Sequence, residues 1–295
     1  MEYISVIQFA EKFGISERTA RNYCASGKIE GAFLTGKTWN IPADAVVPQR
    51  GATKKVSPLL AALREQKASR LKGGIYHRTQ IDLTYNSNHI EGSRLTHDQT
   101  RYIFETNTIG ISDETVNVDD IVETVNHFRC IDYIIDHAKE PVTESLVKQL
   151  HLLLKTGTSD SRKAWFAVGD YKRLPNEVGG QETCSPKEVH RLMKSLISDY
   201  HRSKRKTLDD ILDFHARFEQ VHPFQDGNGR VGRLLMFKEC LANGIVPFII
   251  TDDLKFFYYR GLREWGHING FLTDTCLTAQ DQYKSLLNYF NIVYQ

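Results

Sequence analysis

Two kinds of hydrophobic pattern divide the chain. Near the N-terminus, Ile4 to Phe13 carries apolar residues at Ile7, Ala10 and Phe13, the spacing of a helix face. Gly14-Ile15-Ser16 reads as a turn, and Ser16 is a good N-cap because its hydroxyl can take a free backbone N–H. A second helix is predicted from about Glu17 to Ala25, with Gly27 placed to stop it. Two strand-like stretches follow, Ala32-Phe33-Leu34 and Thr38 to Ile41, joined through Thr35-Gly36-Lys37 as a hairpin. Pro42 to Pro58 is rich in proline, glycine and polar residues and reads as a linker. From Leu59 onward apolar residues recur every three or four positions. Helices are predicted over 59–73, 76–89, 96–106, 118–138, 143–155, 186–202, 208–221, 230–242, 254–265 and 278–292. The one strand-like stretch in this half is Pro175 to Glu182. The expected fold class is mainly α, with a small domain at 1–48, a linker at 49–58 and a helical domain at 59–295.

Composition narrows the class. Hydrophobic residues make up 41% and charged residues 25% of 295 positions, the balance of a water-soluble globular protein. No apolar run is long enough to predict a membrane helix, and the first ten residues lack a signal-peptide core. The five cysteines, at 24, 130, 184, 240 and 276, are scattered without metal-ligand spacing. Reduced thiols and a cytoplasmic location are therefore expected. Net charge is +2, yet residues 51–72 hold six Lys/Arg against one Glu. Such a stretch can meet phosphates or serve as a solvated surface.

The first 45 or so residues resemble the winged helix-turn-helix of excisionase and MerR-type proteins. That resemblance implies Arg18, Arg21 and Asn22 on the exposed face of the second helix, where they would meet a DNA groove. The domain's own charge is close to neutral, which weighs toward a docking module that has lost DNA binding.

The chemistry concentrates in His222-Pro223-Phe224-Gln225-Asp226-Gly227-Asn228-Gly229-Arg230-Val231-Gly232-Arg233. The helix before it ends ahead of a proline, and the helix after it starts near Arg230 and stops before Gly244. Gly227 and Gly229 flank Asn228, so several N–H groups can turn inward as an anion nest at a helix N-terminus. Arg230 and Arg233 add charge and can make forked bonds to phosphate oxygens. Asp226 is a hard oxygen ligand suited to magnesium, which takes one or two carboxylates and fills its shell with phosphate and water. His222 can accept a proton near neutral pH. Phe224 is expected to pin the loop from the core.

The segment resembles the Fic family signature, H-x-F-x-[D/E]-G-N-G-R-x-x-R, at every defined position. The resemblance implies a mainly α fold and transfer of AMP from ATP to a Ser, Thr or Tyr hydroxyl of a protein. It implies His222 as base, Asp226 as the Mg2+ ligand, Gly227, Asn228 and Gly229 as phosphate cradle, and Arg230 and Arg233 on the β- and γ-phosphates. The intact Gly-Asn-Gly-Arg run argues against the family's kinase-like members. Upstream, Ser87-Asn88-His89-Ile90-Glu91-Gly92 is similar to the family's inhibitory motif, [S/T]-x-x-x-E-[G/N]. It implies an inhibitory helix over 76–92 whose Glu91 occupies Arg233 where a γ-phosphate belongs. The stretch at about 175–183 is similar to the family's flap, an extended edge for the incoming target. Val178, Gly179 and Gly180 there are expected to border the nucleotide; Tyr258 is a further candidate, standing about where relatives contact the adenine, although an aromatic at helical spacing more often packs in a core. Lys172, ahead of the flap, stands where the family more often has arginine.

Three readings compete: a self-inhibited AMP transferase, a site that removes AMP with the help of Glu91, and a DNA-binding regulator whose helical domain senses a nucleotide. ATP and a protein target, including the chain itself, are the expected partners, with a homodimer as the family habit. His127, His151 and His215 sit on apolar-faced helices and read as structural, and no His/Cys cluster suggests zinc.

Overall fold

A computed structural model describes residues 2–36, 38–48, 56–110, 115–178 and 180–294. It divides into two compact units, Met1–Lys55 and Val56–Gln295. Most of the linker expected at 49–58 lies outside the described residues.

The first unit opens with a strand, β1 (Tyr3–Ser5), followed by α1 (Val6–Phe13) and α2 (Glu17–Ala25). Part of the stretch expected to be helical is thus extended. Ser5 explains the switch: its hydroxyl accepts from Gln8 N while the Gln8 side chain returns to Ser5 N, a capping box that starts the helix at Val6. Gly14, at φ 63°, ends α1, and Ser16 caps α2 through Thr19 N. β2 (Phe33–Thr35) and β3 (Thr38–Pro42) form the expected hairpin, and β1 adds to β3 in the order β1-β3-β2. Phe9, Ala20, Cys24 and Ile41 pack beneath as a small core.

The second unit holds α3 (Pro58–Ser69), α4 (Ile75–Ile90), α5 (His97–Thr106), α6 (Val118–Asp136) and α7 (Glu144–Lys155). A two-stranded ribbon, β4 (Glu177–Val178) with β5 (Gln181–Glu182), precedes α8 (Pro186–His201), α9 (Leu208–Val221), α10 (Asn228–Asn243), α11 (Lys255–Arg263) and α12 (Gly270–Tyr289). Hydroxyl side chains start four of these ten helices: Ser57, Thr96, Thr143 and Thr207 each accept a first-turn N–H.

α10 is buried along nearly its whole length, from Asn228 to Leu241, and its apolar side chains serve two cores. Val231, Leu234 and Phe237 join the larger core with Leu150, Phe218 and Phe224. Met236 and Cys240 face Tyr258, Leu272 and Cys276. α4 is likewise enclosed but polar, burying Thr79, Gln80, Thr84, Ser87 and Asn88. A buried polar helix next to a buried central helix is an uncommon pairing, because each polar group there needs a partner. The site lies where the two meet.

Candidate functional site

The turn between α9 and α10 is set by backbone geometry. His222 terminates α9 in the left-handed region, φ 49° and ψ 62°, with its N–H on Phe218 O at 3.0 Å. A non-glycine residue there is uncommon and requires support. Support comes from both sides. Lys172 N donates to Pro223 O at 2.8 Å. Phe224 is fully buried and stacks on His151 with ring centroids 4.0 Å apart. His151 also receives Gly169 N at Nδ1 (2.9 Å) and reaches Asp226 O through Nε2 (3.2 Å), so it braces the loop.

Asn228 closes the turn. Its Oδ1 accepts from Phe224 N (2.8 Å) and its Nδ2 donates to Phe224 O (2.9 Å). Its side chain is therefore spent within the loop, which leaves only its backbone for the cradle expected of it. Gly227, at φ 82°, is the N-cap of α10 and offers no side-chain cap. The first N–H groups of α10 are left for an anion.

An anion is already there. Glu91 ends α4, and its Oε1 accepts from Arg233 NH2 at 2.7 Å. A methyl group built on Gly229 would overlap that same Oε1, so the carboxylate lies against the first turn of α10. Ser87 holds the same arginine twice, through Oγ from Nε (3.0 Å) and through its carbonyl from NH2 (2.8 Å). Arg233 is 3% exposed, while a quarter of the Glu91 side chain remains open. Gly92 follows at φ 99°, a turn that only glycine makes readily, and aims Glu91 back at α10.

Asp226 faces outward, its side chain 45% exposed. Burial alone would raise its pKa, but Arg230 and Lys155 hold the carboxyl well below the usual range. Arg230 itself is 4% exposed and is engaged by Asp226 (3.2 Å) and by Glu123. The structure thus places Arg230 behind the metal-ligand candidate, with its guanidinium turned to carboxylates. His222 is half-buried and pushed down to about 4, by burial first and by the Lys172 charge second. The imidazole is therefore neutral at pH 7.

One expectation is corrected. Tyr258 is fully buried and bonded through its hydroxyl to His215 Nε2 at 2.6 Å. No face of the ring is open to adenine; it packs behind Arg233, whose guanidinium carbon is 6.0 Å from its centroid.

The flap candidate is a short ribbon pairing Glu177 with Glu182 and Val178 with Gln181. Gly180 turns it at φ 77°, and Gly179 lies outside the described residues. Lys172 locks the ribbon's base, donating to Asn176 Oδ1 (2.8 Å) and Thr183 Oγ1 (2.5 Å). Asn176 Nδ2 in turn donates to Phe224 O at 3.0 Å. In the other unit, Arg18, Arg21 and Asn22 are exposed on α2, with Arg21 3.6 Å from Glu17.

Three groups in or beside the site escaped sequence reasoning. Lys155 and Glu123 pair beneath Asp226. Glu219, one turn before His222, is pushed up to about 8 by burial, and its Oε1 lacks a hydrogen-bond partner. The available signal was spacing: Lys155 follows His151 by four residues, and Glu219 precedes His222 by three.

Residues 141–240 match the model of the Fic/DOC family. The protein adenylyltransferase Fic of Drosophila ananassae is 27% identical over 223 residues, which are 73% of this chain and 41% of that protein. The protein of the same name in Drosophila virilis is equally similar, with 42% of its length covered. The chain thus spans about two fifths of the curated relatives it matches. A Fic domain containing signaling protein from Bacteroides thetaiotaomicron superposes with a TM-score of 0.58 at 25% identity, over 78% of this chain and 90% of that one. Fic-1 from C. elegans superposes with a TM-score of 0.61 at 18% identity, over 79% and 72%.

Proposed function

We propose that this chain, which carries a Fic domain, transfers AMP from ATP to a hydroxyl of a protein and restrains itself through Glu91. The observation that carries the reading is the Glu91 carboxylate on Arg233 at the start of α10, beside His222 and Asp226. An acidic side chain rests where two features, a helix N-terminus and a guanidinium fork, favour an anion. Its departure leaves a seat for a terminal phosphate.

In the proposed reaction the target hydroxyl attacks the α-phosphorus and pyrophosphate leaves. His222, neutral at pH 7, accepts the hydroxyl proton as the new O–P bond forms. Arg233 and the backbone N–H groups of Gly229 and its neighbours grip the outgoing phosphates. Asp226 fits Mg2+: it is a hard oxygen donor, held ionised and partly open to solvent. The ion, when bound, offsets charge on the phosphates. The ribbon at 175–183 is assigned to the target's main chain, which brings a hydroxyl over His222 with little demand on sequence.

The test is incubation of the wild type, Glu91→Gly and Glu91→Gly/His222→Ala with ATP and Mg2+, read by mass spectrometry for AMP adducts on the chain or on added proteins. The reading expects adducts from the second protein and none from the third. No adduct from Glu91→Gly on any protein would overturn it.

For the first unit, the exposure of Arg18, Arg21 and Asn22 on the helix after the turn supports a DNA-facing role. Arg18→Ala/Arg21→Ala should abolish a salt-dependent gel shift. An unchanged shift would assign that face elsewhere.

A further inference from the structure

Beneath the proposed metal ligand lies a lysine with three carboxylates around it. Lys155, the last residue of α7, is 2% exposed. Its Nζ lies 2.7 Å from Asp226 Oδ2, 2.5 Å from Glu123 Oε1 and 3.1 Å from Asp160 Oδ2. Arg230 completes the group by pairing with Glu123 Oε2 and, at 3.2 Å, with Asp226 Oδ2. An ammonium has three N–H donors, and here each has its own carboxylate. The tip is fixed in position as well as paired. Its surroundings also include the fully buried Leu154 and the Phe166 ring, 5.4 Å away, so the charge is held among apolar groups by its carboxylates.

We propose that Lys155 is a positioning residue for Asp226, clamping one carboxylate oxygen so that the other is presented to a divalent cation. The inference rests on Asp226 being the metal ligand. Lys155 and Arg230 both take Oδ2, and the Gly227 N–H also bonds the carboxyl, so Oδ1 is the oxygen without a side-chain partner. Asp226 sits on a turn with a partly exposed side chain, and without the clamp it would sample rotamers that face away. Glu123 bridges the two cations, so Asp226 and Arg230 are held as one unit. Removing the ammonium also leaves three carboxylates against Arg230 and Lys163, which pairs with Asp160 at 2.7 Å, an added repulsion for phosphates.

The experiment measures ATP affinity by calorimetry on the full chain carrying Glu91→Gly, once with Mg2+ and once with EDTA. The ratio of the two affinities is the metal-dependent gain. Adding Lys155→Met is expected to cut that gain by about tenfold, the scale of a lost preorganising contact. Affinity in EDTA should change by less. Lys155→Gln, one atom shorter but keeping an uncharged NH2 donor, serves where the methionine variant fails to fold, and thermal melts report which has folded. A gain equal to or larger than the parent's would overturn the proposal, since Lys155 would then be only structural or a competitor of the ion. If Glu91→Gly alone shows no gain from Mg2+, the reading of Asp226 itself fails, and that outcome is seen before Lys155 is touched.

Discussion

Replacing Glu91 by glycine should convert a weak enzyme into a strong one, and the structure sets the scale. The carboxylate is 2.7 Å from a guanidinium that is 3% exposed, with the carboxylate itself a quarter open. A phosphate can reach Arg233 only after this pair is broken. Breaking a pair of this burial by removing one partner costs about 3–5 kcal/mol when it is fully enclosed. The exposed side of Glu91 and the two Ser87 contacts that remain on Arg233 reduce that to about 2–4 kcal/mol. At 1.4 kcal/mol per factor of ten, productive ATP occupancy should rise by roughly thirty- to several-hundred-fold. The backbone tolerates the change, because Glu91 sits at φ −87° and ψ 4° at a helix end. The assay is the initial rate of AMP incorporation at ATP well below saturation, with wild type and variant matched for folded fraction. An increase below about threefold would refute the reasoning, since thermal scatter among weak surface pairs gives that much. An increase confined to saturating ATP would also refute it, because relief of competition acts at low ATP.

Other expectations follow from single groups. His222 is held near 4, so it is deprotonated throughout pH 6–8, and the Glu91→Gly rate should stay flat down to pH 6; an acid limb at the ordinary imidazole value would contradict the burial of His222. Glu219 binds its proton more tightly folded than unfolded, so it weakens the fold as pH rises from about 4.5 toward about 8. Glu219→Gln should therefore raise the melting temperature at pH 8 relative to wild type and leave it unchanged at pH 4; equal melting differences at both would show that burial does not govern this carboxyl. Asn228→Ala strands the buried N–H of Phe224, whose C=O keeps Asn176 Nδ2, and should cost about 1–3 kcal/mol in denaturant unfolding, against under about 0.5 kcal/mol for a surface change. Gly229→Ala in the Glu91→Gly background should abolish ATP binding by calorimetry, because the methyl group fills the space the carboxylate held.

The site's centre was legible because it is local. His222, Asp226, Gly227, Gly229 and Arg233 fall within twelve consecutive residues, and turn chemistry plus helix spacing places them together. The role of Asn228 as a latch is a hydrogen-bond outcome within that loop, which residue type alone leaves open. Groups assembled from separate elements were harder. Lys155 from α7 meets Glu123 from α6 and Asp226 from the loop, and no pattern along the chain announces a meeting of three elements. The pairing of Arg230 with Glu123 was hidden for the same reason, since the two lie 107 residues apart. Tyr258 was placed on a helix correctly, but rotation about that helix, which buries its ring, depends on the packing of α11 against α12. Among the elements, α12 begins at Gly270, eight residues before the predicted start at 278. Its first turns are rich in threonine, a poor helix former, and two of those hydroxyls bond back to carbonyls four residues earlier. Burial of Leu272 and Cys276 outweighs that propensity.

The reaction itself is tested most directly by following the label. Glu91→Gly protein incubated with ATP labelled at the α-phosphorus should retain the label covalently, and ATP labelled at the γ-phosphorus should leave all of it in pyrophosphate. Adding His222→Ala should end both. Retention of the γ-label on protein, or release of either label at the same rate without His222, would contradict adenylyl transfer at this site.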